Sequence, residues 1–435
     1  MRIVDAIEGY TTLTDDTTEL NEDSLFVVTD QNRRYYEALP SRPATITPAE
    51  LVRTWGLDRL RVVGVTGTNG KTTTTAAIYS ILLDLGHQSA LQGTRGLLVN
   101  DERVEAKSMT TPSILQTLWN MKRALDAGCE YFIMEVSSHA IDQNRIESIP
   151  FALKIHTNIT RDHLDYHGTV EEYRRVKSAF FADEAMKLLN KDDIATVTFN
   201  PANAFTYGVD EPATFKVQAF SLVEGITASV RDMRSDEEGV FRSYMPGLFN
   251  LYNLTAAVSA AKLLTDKPLE RICEAVEGFG GVAGRMEVVS FDPYVIVDFA
   301  HTDDGMYQVL NAMKDKNIAV VFGAGGDRDR QKRPRMGAVA GRFAKKIYVT
   351  SDNPRSEDPQ AIIDEIVQGL QGKEGVQTIV DRKEAIRTAL RELQNDEVLL
   401  ILGKGDETYQ EIQGTKIPFD DREVVREILA SKDTV

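Results

Sequence analysis

The apolar positions of this chain change period several times, and those changes divide it. Up to residue 58, "SLFVVT" reads as a strand and "TPAELVRTW" as a helix entered through a threonine cap, together a small α/β unit. From Leu60 the rhythm becomes strand, turn, helix. "RLRVVGVTG" is a continuous apolar run stopped by glycine, as in a parallel strand covered on both faces, and it predicts a helix over 71–85 behind it. "CEYFIMEVSS" and "FALKIHTNIT" are further buried strands, with helices between. From about 196 to 244 the pattern shortens to β-branched alternation, with "RSDEEGVFRSY" as a hairpin. The helices "YNLTAAVSAAKLLT" and "PLERICEAVEGF" then close the block near Gly284.

A second series begins there. "YVIVDFAH", "NIAVVFGAGG", "KKIYVTSDNP" and "EVLLILGKG" read as strands, alternating with the helices "MGAVAGRFA", "PQAIIDEIVQGL" and "KEAIRTALREL". The expectation is an α/β protein in three units, 1–58, 59–283 and 284–435. Ligands of parallel sheets gather at the carboxyl ends of strands, and every conspicuous motif of this chain lies at such an end. The sequence contains no internal repeat and no low-complexity segment.

Composition changes this picture only at its edges. With 435 residues, 42% of them hydrophobic, the chain is long enough for two or three cores. A formal net charge of −16 disfavours nucleic acid or an anionic membrane surface as a bulk partner, while leaving room for a small anion at a local positive site. No apolar run reaches the length of a membrane span, and the amino terminus carries no cleavage signature. Cys129 and Cys273 read as reduced core residues in helical, apolar surroundings of a cytoplasmic protein.

The chemistry is concentrated in "VVGVTGTNGKTTTT". Gly67 and Gly70 permit a tight turn in which successive N–H groups point at phosphate oxygens ahead of a helix N-terminus. Lys71 supplies a point charge and the Thr72 hydroxyl a magnesium ligand. Val65 stands where the usual first glycine of a phosphate loop would be, so a ligand-free glycine turn is the plain alternative. Glu135 ends the next buried strand, in "FIMEVSSHA", where a metal-binding carboxylate or a simple helix cap fits. Four of the six histidines, His139, His156, His163 and His167, fall in one quarter of the chain. Any single one reads as structural; their clustering at strand ends assigns at least one to magnesium or nucleotide. By periodicity alone, Lys177 in "EEYRRVKSAFF" is a lysine snorkelling from an apolar helix face.

Taken together and in order, "GVTGTNGKTTTT", "MEVSSHAIDQNRI", "TNITRDHLDYHG", "YRRVKSAFF", "GRMEVV", "VDFAHTDDGM", "GGDRDRQKRP", "SDNPR" and "GKGDE" resemble the Mur ligases. Within that family they resemble the UDP-N-acetylmuramoyl-tripeptide synthetases (the MurE group). The resemblance implies a short uridine-nucleotide domain, a central P-loop ATPase domain and a Rossmann-like C-terminal domain for the incoming amino acid. It implies ATP and Mg2+, an acyl-phosphate intermediate, and a monomer acting in the cytoplasm on peptidoglycan precursors for cell-wall synthesis and division.

Carried over by position, it implies that Gly67, Thr68, Asn69, Gly70, Lys71, Thr72 and Thr73 cradle ATP, with Asn253, Arg285, Asp298 and His301 as further nucleotide contacts. Thr72, Glu135, His163 and Lys177 are the implied metal residues, the last for a second magnesium ion. Lys177 matches a lysine that the family carries as a carbamate (N6-carboxylysine), which overrides the snorkelling reading. Phe299 and Asp303 replace a usual tyrosine and proline. Thr17, Thr110, Thr111, Ser137, Gln143 and Arg145 match contacts to the UDP-sugar peptide, and "DQNRRYY" replaces a usual histidine-containing loop.

"SDNPR" carries the choice of amino acid. An arginine fork fits a carboxylate with two parallel bonds, although an Asx-Pro turn with a solvated arginine is a common structure. In the resembling family, DNPR goes with meso-diaminopimelate. Asp352, Asn353, Pro354 and Arg355 are then implied as its contacts with Arg328, Gly403 and Glu407, the last for the distal ammonium. Asp406 stands where histidine is usual. The alternatives are a lysine-adding enzyme, a D-alanyl-D-alanine-adding enzyme, a folylpolyglutamate synthase, or a regulatory nucleotide-binding module. DNPR and "SSHAIDQNR" disfavour the ligase alternatives, and the presence of Lys177 and His163 disfavours the module.

Overall fold

The computed structural model describes residues 1–100, 102–106, 109–223 and 225–432. Three sheets organise it. The first has the order β1–β2–β3–β4, from Arg2–Ile7, Tyr10–Thr14, Ser24–Val27 and Ala44–Ile46. Only its β1–β2 pair is antiparallel. The expected helix follows at Pro48–Thr54, where Thr47 and Glu50 exchange a reciprocal capping box. Leu25, Val27, Leu51 and Trp55 share a core with Phe132, Met134 and Leu118, so this unit rests on one face of the second sheet.

The second sheet is eleven-stranded. At its centre lie β10 (Phe151–His156), β5 (Arg61–Thr66), β9 (Tyr131–Glu135) and β6 (Ser89–Gly93), all parallel. Their apolar runs are buried on both faces, as the unbroken pattern predicts, and each fully buried aliphatic side chain contributes about 1.5–3 kcal/mol. Two antiparallel strands, β7 (Gly96–Val99) and β8 (Glu102–Glu105), extend one edge. Parallel β11 (Lys187–Asn190) and β12 (Ala204–Gly208) extend the other. Beyond them run β13 (Phe215–Ser221), β14 (Ile226–Asp232) and β15 (Glu237–Ser243). The expected hairpin is the β14–β15 pair. The helix Lys71–Asp84 packs against Leu248–Leu264 over the opposite face.

The third sheet has the order β16–β17–β21–β18–β19–β20, from Glu287–Phe291, Tyr294–Asp298, Glu397–Leu402, Asn317–Phe322, Lys346–Thr350 and Val376–Ile379. Only β16 is antiparallel. A hairpin of β22 (Tyr409–Ile412) and β23 (Thr415–Pro418) stands apart from it. One cysteine departs from expectation. Cys273 lies in the helix Leu269–Ala275, but Cys129 sits in the turn between the helix Ile114–Asp126 and β9, because Gly128 at φ 80° has already ended that helix. Both thiols are buried and free.

Candidate active site

The carboxyl ends of β5, β9, β10 and β17 face a common cavity of about 660 Å³, which Arg328 of the loop after β18 also lines. Every predicted nucleotide and metal residue except Gly67 lines it, together with Thr110, Ser137 and Arg328.

Its floor is the loop between β5 and the helix Lys71–Asp84. The two glycines are sterically required there. A Cβ on Gly67 would come within 1.9 Å of Thr157 Oγ1, and one on Gly70, at φ 86°, within 2.3 Å of Asn253 Oδ1. The strand end after β10 holds the loop in place. Thr68 N donates to Asn158 O at 2.7 Å, and Asn69 N donates to Asn158 Oδ1 at 2.9 Å. Lys71 Nζ donates to Gly67 O and Thr68 O, both at 2.8 Å. Burial depresses its pKa, against the pull of the Glu135 and Asp162 carboxylates.

Glu135, almost fully buried at the end of β9, accepts from Thr72 Oγ1 at 2.9 Å and from Thr94 N at 2.9 Å. Thr94 Oγ1 in turn lies 3.1 Å from Thr110 Oγ1. Among the described residues, no three His, Cys, Asp or Glu side chains converge on a metal-binding point. The Thr72 hydroxyl and the Glu135 carboxylate are nevertheless adjacent oxygen donors, the type that magnesium prefers. His163 is held at φ 52° ahead of the short helix Leu164–His167, and its ring lies 4.9 Å from that of His139. Desolvation in the cleft pulls its pKa down to about 4 despite Asp162.

Lys177 is buried within the helix Val170–Ala179 and does not snorkel. Its Nζ donates to Thr66 Oγ1 at 3.1 Å and to Gly67 O at 2.9 Å, and lies over the Tyr173 ring. Burial, and next the like charge of Lys71, push it well below an ordinary lysine pKa.

The opposite wall comes from the third sheet. Asp298 accepts from Met286 N and Ala300 N, both at 2.7 Å, and burial raises its pKa against the pull of Arg285. The Arg285 guanidinium stacks 4.2 Å from the centre of the Phe299 ring, so the phenylalanine at this position still offers an aromatic face. His301 Nδ1 contacts Phe299 O at 3.0 Å, and burial lowers its pKa to about 4.

The predicted sugar-peptide residues divide between two places. Thr17, Gln143 and Arg145 line a second cavity of about 390 Å³ between the first and second sheets, with Asp30, Gln31 and Asn32 of "DQNRRYY" on its rim. Thr111 connects it to the main cleft. Its carbonyl accepts from Arg145 Nη1 at 3.0 Å, and its hydroxyl donates to Glu135 O at 2.8 Å and accepts from Ser137 N at 3.0 Å.

The "SDNPR" and "GKGDE" residues form a third group at the ends of β19 and β21. Asn353 Nδ2 donates to Glu407 Oε2 at 2.9 Å, and a Cβ on Gly403 would meet Asp352 Oδ2 at 2.5 Å. Buried Lys404 donates to both Asn353 Oδ1 and Glu407 Oε2. Arg355, at φ 52°, donates from Nη1 to Gly326 O at 2.6 Å, with Nε 3.5 Å from Glu411 Oε2. Buried Pro354 seats this loop, since a Cβ on Gly326 would lie 1.9 Å from its carbonyl oxygen. Burial would raise the Asp352 pKa, but Lys404 and Arg382 hold it below the usual range. Arg328 stands apart from this network, on the wall of the large cavity.

Sequence reasoning missed Thr94, Asp162, Asp304 and Lys404. Asp162, Asp304 and Lys404 lie inside quoted motifs, and of the three only Lys404 is fully buried.

A phosphate-type loop on one sheet, facing the strand ends of a second across a shared cleft, defines a multi-unit P-loop α/β protein. The Mur ligase middle domain is matched over residues 65–261, and the Mur ligase, glutamate ligase domain over 284–405. The chain belongs to the Mur ligase family. Two relatives, from Helicobacter hepaticus and Wolinella succinogenes, are each 52% identical to it, covering 94% and 95% of this chain and 90% and 95% of their own. Both are named UDP-N-acetylmuramoyl-L-alanyl-D-glutamate–2,6-diaminopimelate ligase. A solved structure of a ligase of that name is similar at 30% identity and TM-score 0.67, over 97% of this chain and 95% of that one. A Mycobacterium tuberculosis folylpolyglutamate synthase, complexed with ADP and AMPPCP, shares the fold at 16% identity and TM-score 0.66, over 82% and 91%.

Proposed function

We propose that this chain joins meso-2,6-diaminopimelate to UDP-N-acetylmuramoyl-L-alanyl-D-glutamate at the expense of ATP, in units 1–58, 59–283 and 284–435 that take the sugar nucleotide, ATP and the amino acid. The observation that carries the reading is the single cleft in which the loop around Lys71, the Thr72–Glu135 pair and Lys177 face Arg285, Asp298 and His301.

In the first step, a D-glutamyl carboxylate oxygen attacks the γ-phosphorus. The bond to the β–γ bridging oxygen breaks, and ADP leaves with that electron pair. In the second, the diaminopimelate amine attacks the acyl carbon, the bond to the phosphate oxygen breaks, and phosphate and a proton are released. Lys71 and the backbone N–H groups of its loop hold the transferring phosphoryl group in a buried setting, where charge is most effective. Thr72 and Glu135 would hold magnesium, with His163 beside them; the ion supplies charge neutralisation at the phosphates. A neutral Lys177 amine adds carbon dioxide and loses a proton, which gives a carbamate anion able to serve a second ion.

The Arg145–Thr111–Ser137 line leads the peptide from the smaller cavity to the phosphates. Arg328, on the cleft wall, serves the reacting end of diaminopimelate; Arg355, Asn353 and Glu407 serve the distal carboxylate and ammonium. The substrates are small molecules in the cytoplasm, and the protein acts as a monomer. Phosphate release measured with ATP and the UDP-dipeptide tests the reading. Diaminopimelate should support turnover well and L-lysine poorly; the reverse order would make this a lysine-adding enzyme.

A further inference from the structure

One carboxylate of the third sheet's unit reaches the phosphate loop itself. Asp304, in the first turn of the helix Asp303–Ala312, accepts from Asn69 Nδ2 at 2.8 Å and from Thr160 Oγ1 at 3.2 Å. The two donors belong to loops that already grip each other: Thr160 N donates to Thr68 Oγ1 at 3.0 Å. The Asn69 backbone is also fully engaged within its own unit. Its N–H donates to Asn158 Oδ1, and its carbonyl accepts from Thr157 Oγ1 at 2.7 Å and Asn158 Nδ2 at 3.1 Å. Its side chain is therefore the part left to answer another unit, and it turns to Asp304 and not into the loop. The next residue of the Thr160 segment makes the same crossing. Arg161 Nη2 donates to Gln331 Oε1 at 3.1 Å.

We propose that Asp304 is a positioning residue that makes the working shape of the phosphate loop depend on docking of the amino-acid-binding unit. A helix N-terminus favours a carboxylate at this place, so the acceptor is held ready without help from the loop. Docking brings two donors to it at once and fixes the tip of the phosphate loop from outside its own sheet. Undocked, Asn69 has no such anchor, and the loop meets ATP less well ordered. The proposal rests on the ATP-dependent reading of the cleft given above.

Asp304→Ala, Asn69→Ala and the double variant test it, with Asp304→Asn as the conservative control that keeps an acceptor oxygen at the same place. The KM for ATP should rise by about ten- to a hundredfold in Asp304→Ala, the span of charge-assisted hydrogen bonds, while the KM for diaminopimelate stays near wild type. The double variant should be no worse than the poorer single one, and Asp304→Asn should recover most of the loss. Small-angle scattering of the ligand-free proteins gives a readout independent of activity. Asp304→Ala should be more extended than wild type, and Asp304→Asn should not. Losses that multiply independently in the double variant, or an Asp304→Ala protein with the wild-type scattering profile, would overturn the proposal. Absence of turnover in the wild type would instead overturn the assigned reaction, and the scattering comparison would still decide the docking role.

Discussion

Lys177 and Lys71 donate to the same atom, the carbonyl oxygen of Gly67, at 2.9 and 2.8 Å. Two cationic side chains on one acceptor, one of them buried, cannot both keep an ordinary affinity for their protons. Lys177 is the one pushed well below the usual lysine range. Lowered proton affinity favours the neutral amine, the form that is a nucleophile for carbon dioxide, and conversion to a carbamate replaces the repulsion with attraction to Lys71. Protein kept in labelled bicarbonate should therefore carry one labelled carbamate, and Lys177→Ala none. Turnover should almost vanish in that variant and partly return with added short-chain carboxylates. A bare lysine in a fully active enzyme would contradict this.

Thr94 presents both its N–H and its hydroxyl to Glu135. Thr94→Val keeps the backbone donor and removes the hydroxyl that steadies the carboxylate and Thr110. Loss of such a supporting contact costs metal sites about tenfold or more in affinity. The magnesium concentration needed for half-maximal turnover should rise accordingly, with the KM for diaminopimelate unchanged. An unchanged magnesium requirement would remove Thr94 from the site.

Arg355 is the residue proposed to read the distal carboxylate. Charge-assisted bonds of this kind are worth about 1.5–3 kcal/mol, so Arg355→Ala should raise the KM for diaminopimelate about ten- to a hundredfold. The KM for ATP should stay put, since the Arg355 contacts are Gly326, on the loop after β18, and Glu411, in the β22–β23 hairpin, and neither lines the large cleft. Lysine lacks the second carboxylate, so its use should not worsen. Equal losses for both amino acids would show that the loop does not read the carboxylate.

Stability should fall on mild acidification. His163 and His301 are held at about 4 in the folded chain, against an ordinary 6.5. Between those values the unfolded chain binds more protons, so stability is complete above about pH 6.5 and declines as pH drops toward 4. Glu357, drawn down to about 2 by Arg333, loses its contribution at still lower pH. Calorimetry should show Tm decreasing steadily from pH 7, just above the upper end of the histidine window, to pH 5, inside it. A flat or rising Tm would refute the neutral histidines.

The sequence made the buried parallel strands legible because covering both faces leaves an unbroken apolar run, as in β5, β9, β18 and β21. It concealed β8, whose "ERVE" is largely exposed, and β1 and β2, whose sheet is covered on one side. The phosphate loop could be read because its glycines and hydroxyls are contiguous. Thr94 and Asp304 could not, because they matter only through partners 41 and 235 residues away. Asn69 shows the limit most plainly: the motif identified it, but its side chain reaches into another unit.

In the proposed reaction ATP and the D-glutamyl carboxylate meet in one cleft and exchange a phosphoryl group there. Transfer of heavy oxygen tests it most directly, using UDP-dipeptide labelled in the D-glutamyl γ-carboxylate, with ATP and diaminopimelate. Each phosphate released should carry one heavy oxygen from that carboxylate. Release of unlabelled phosphate alongside product would contradict it.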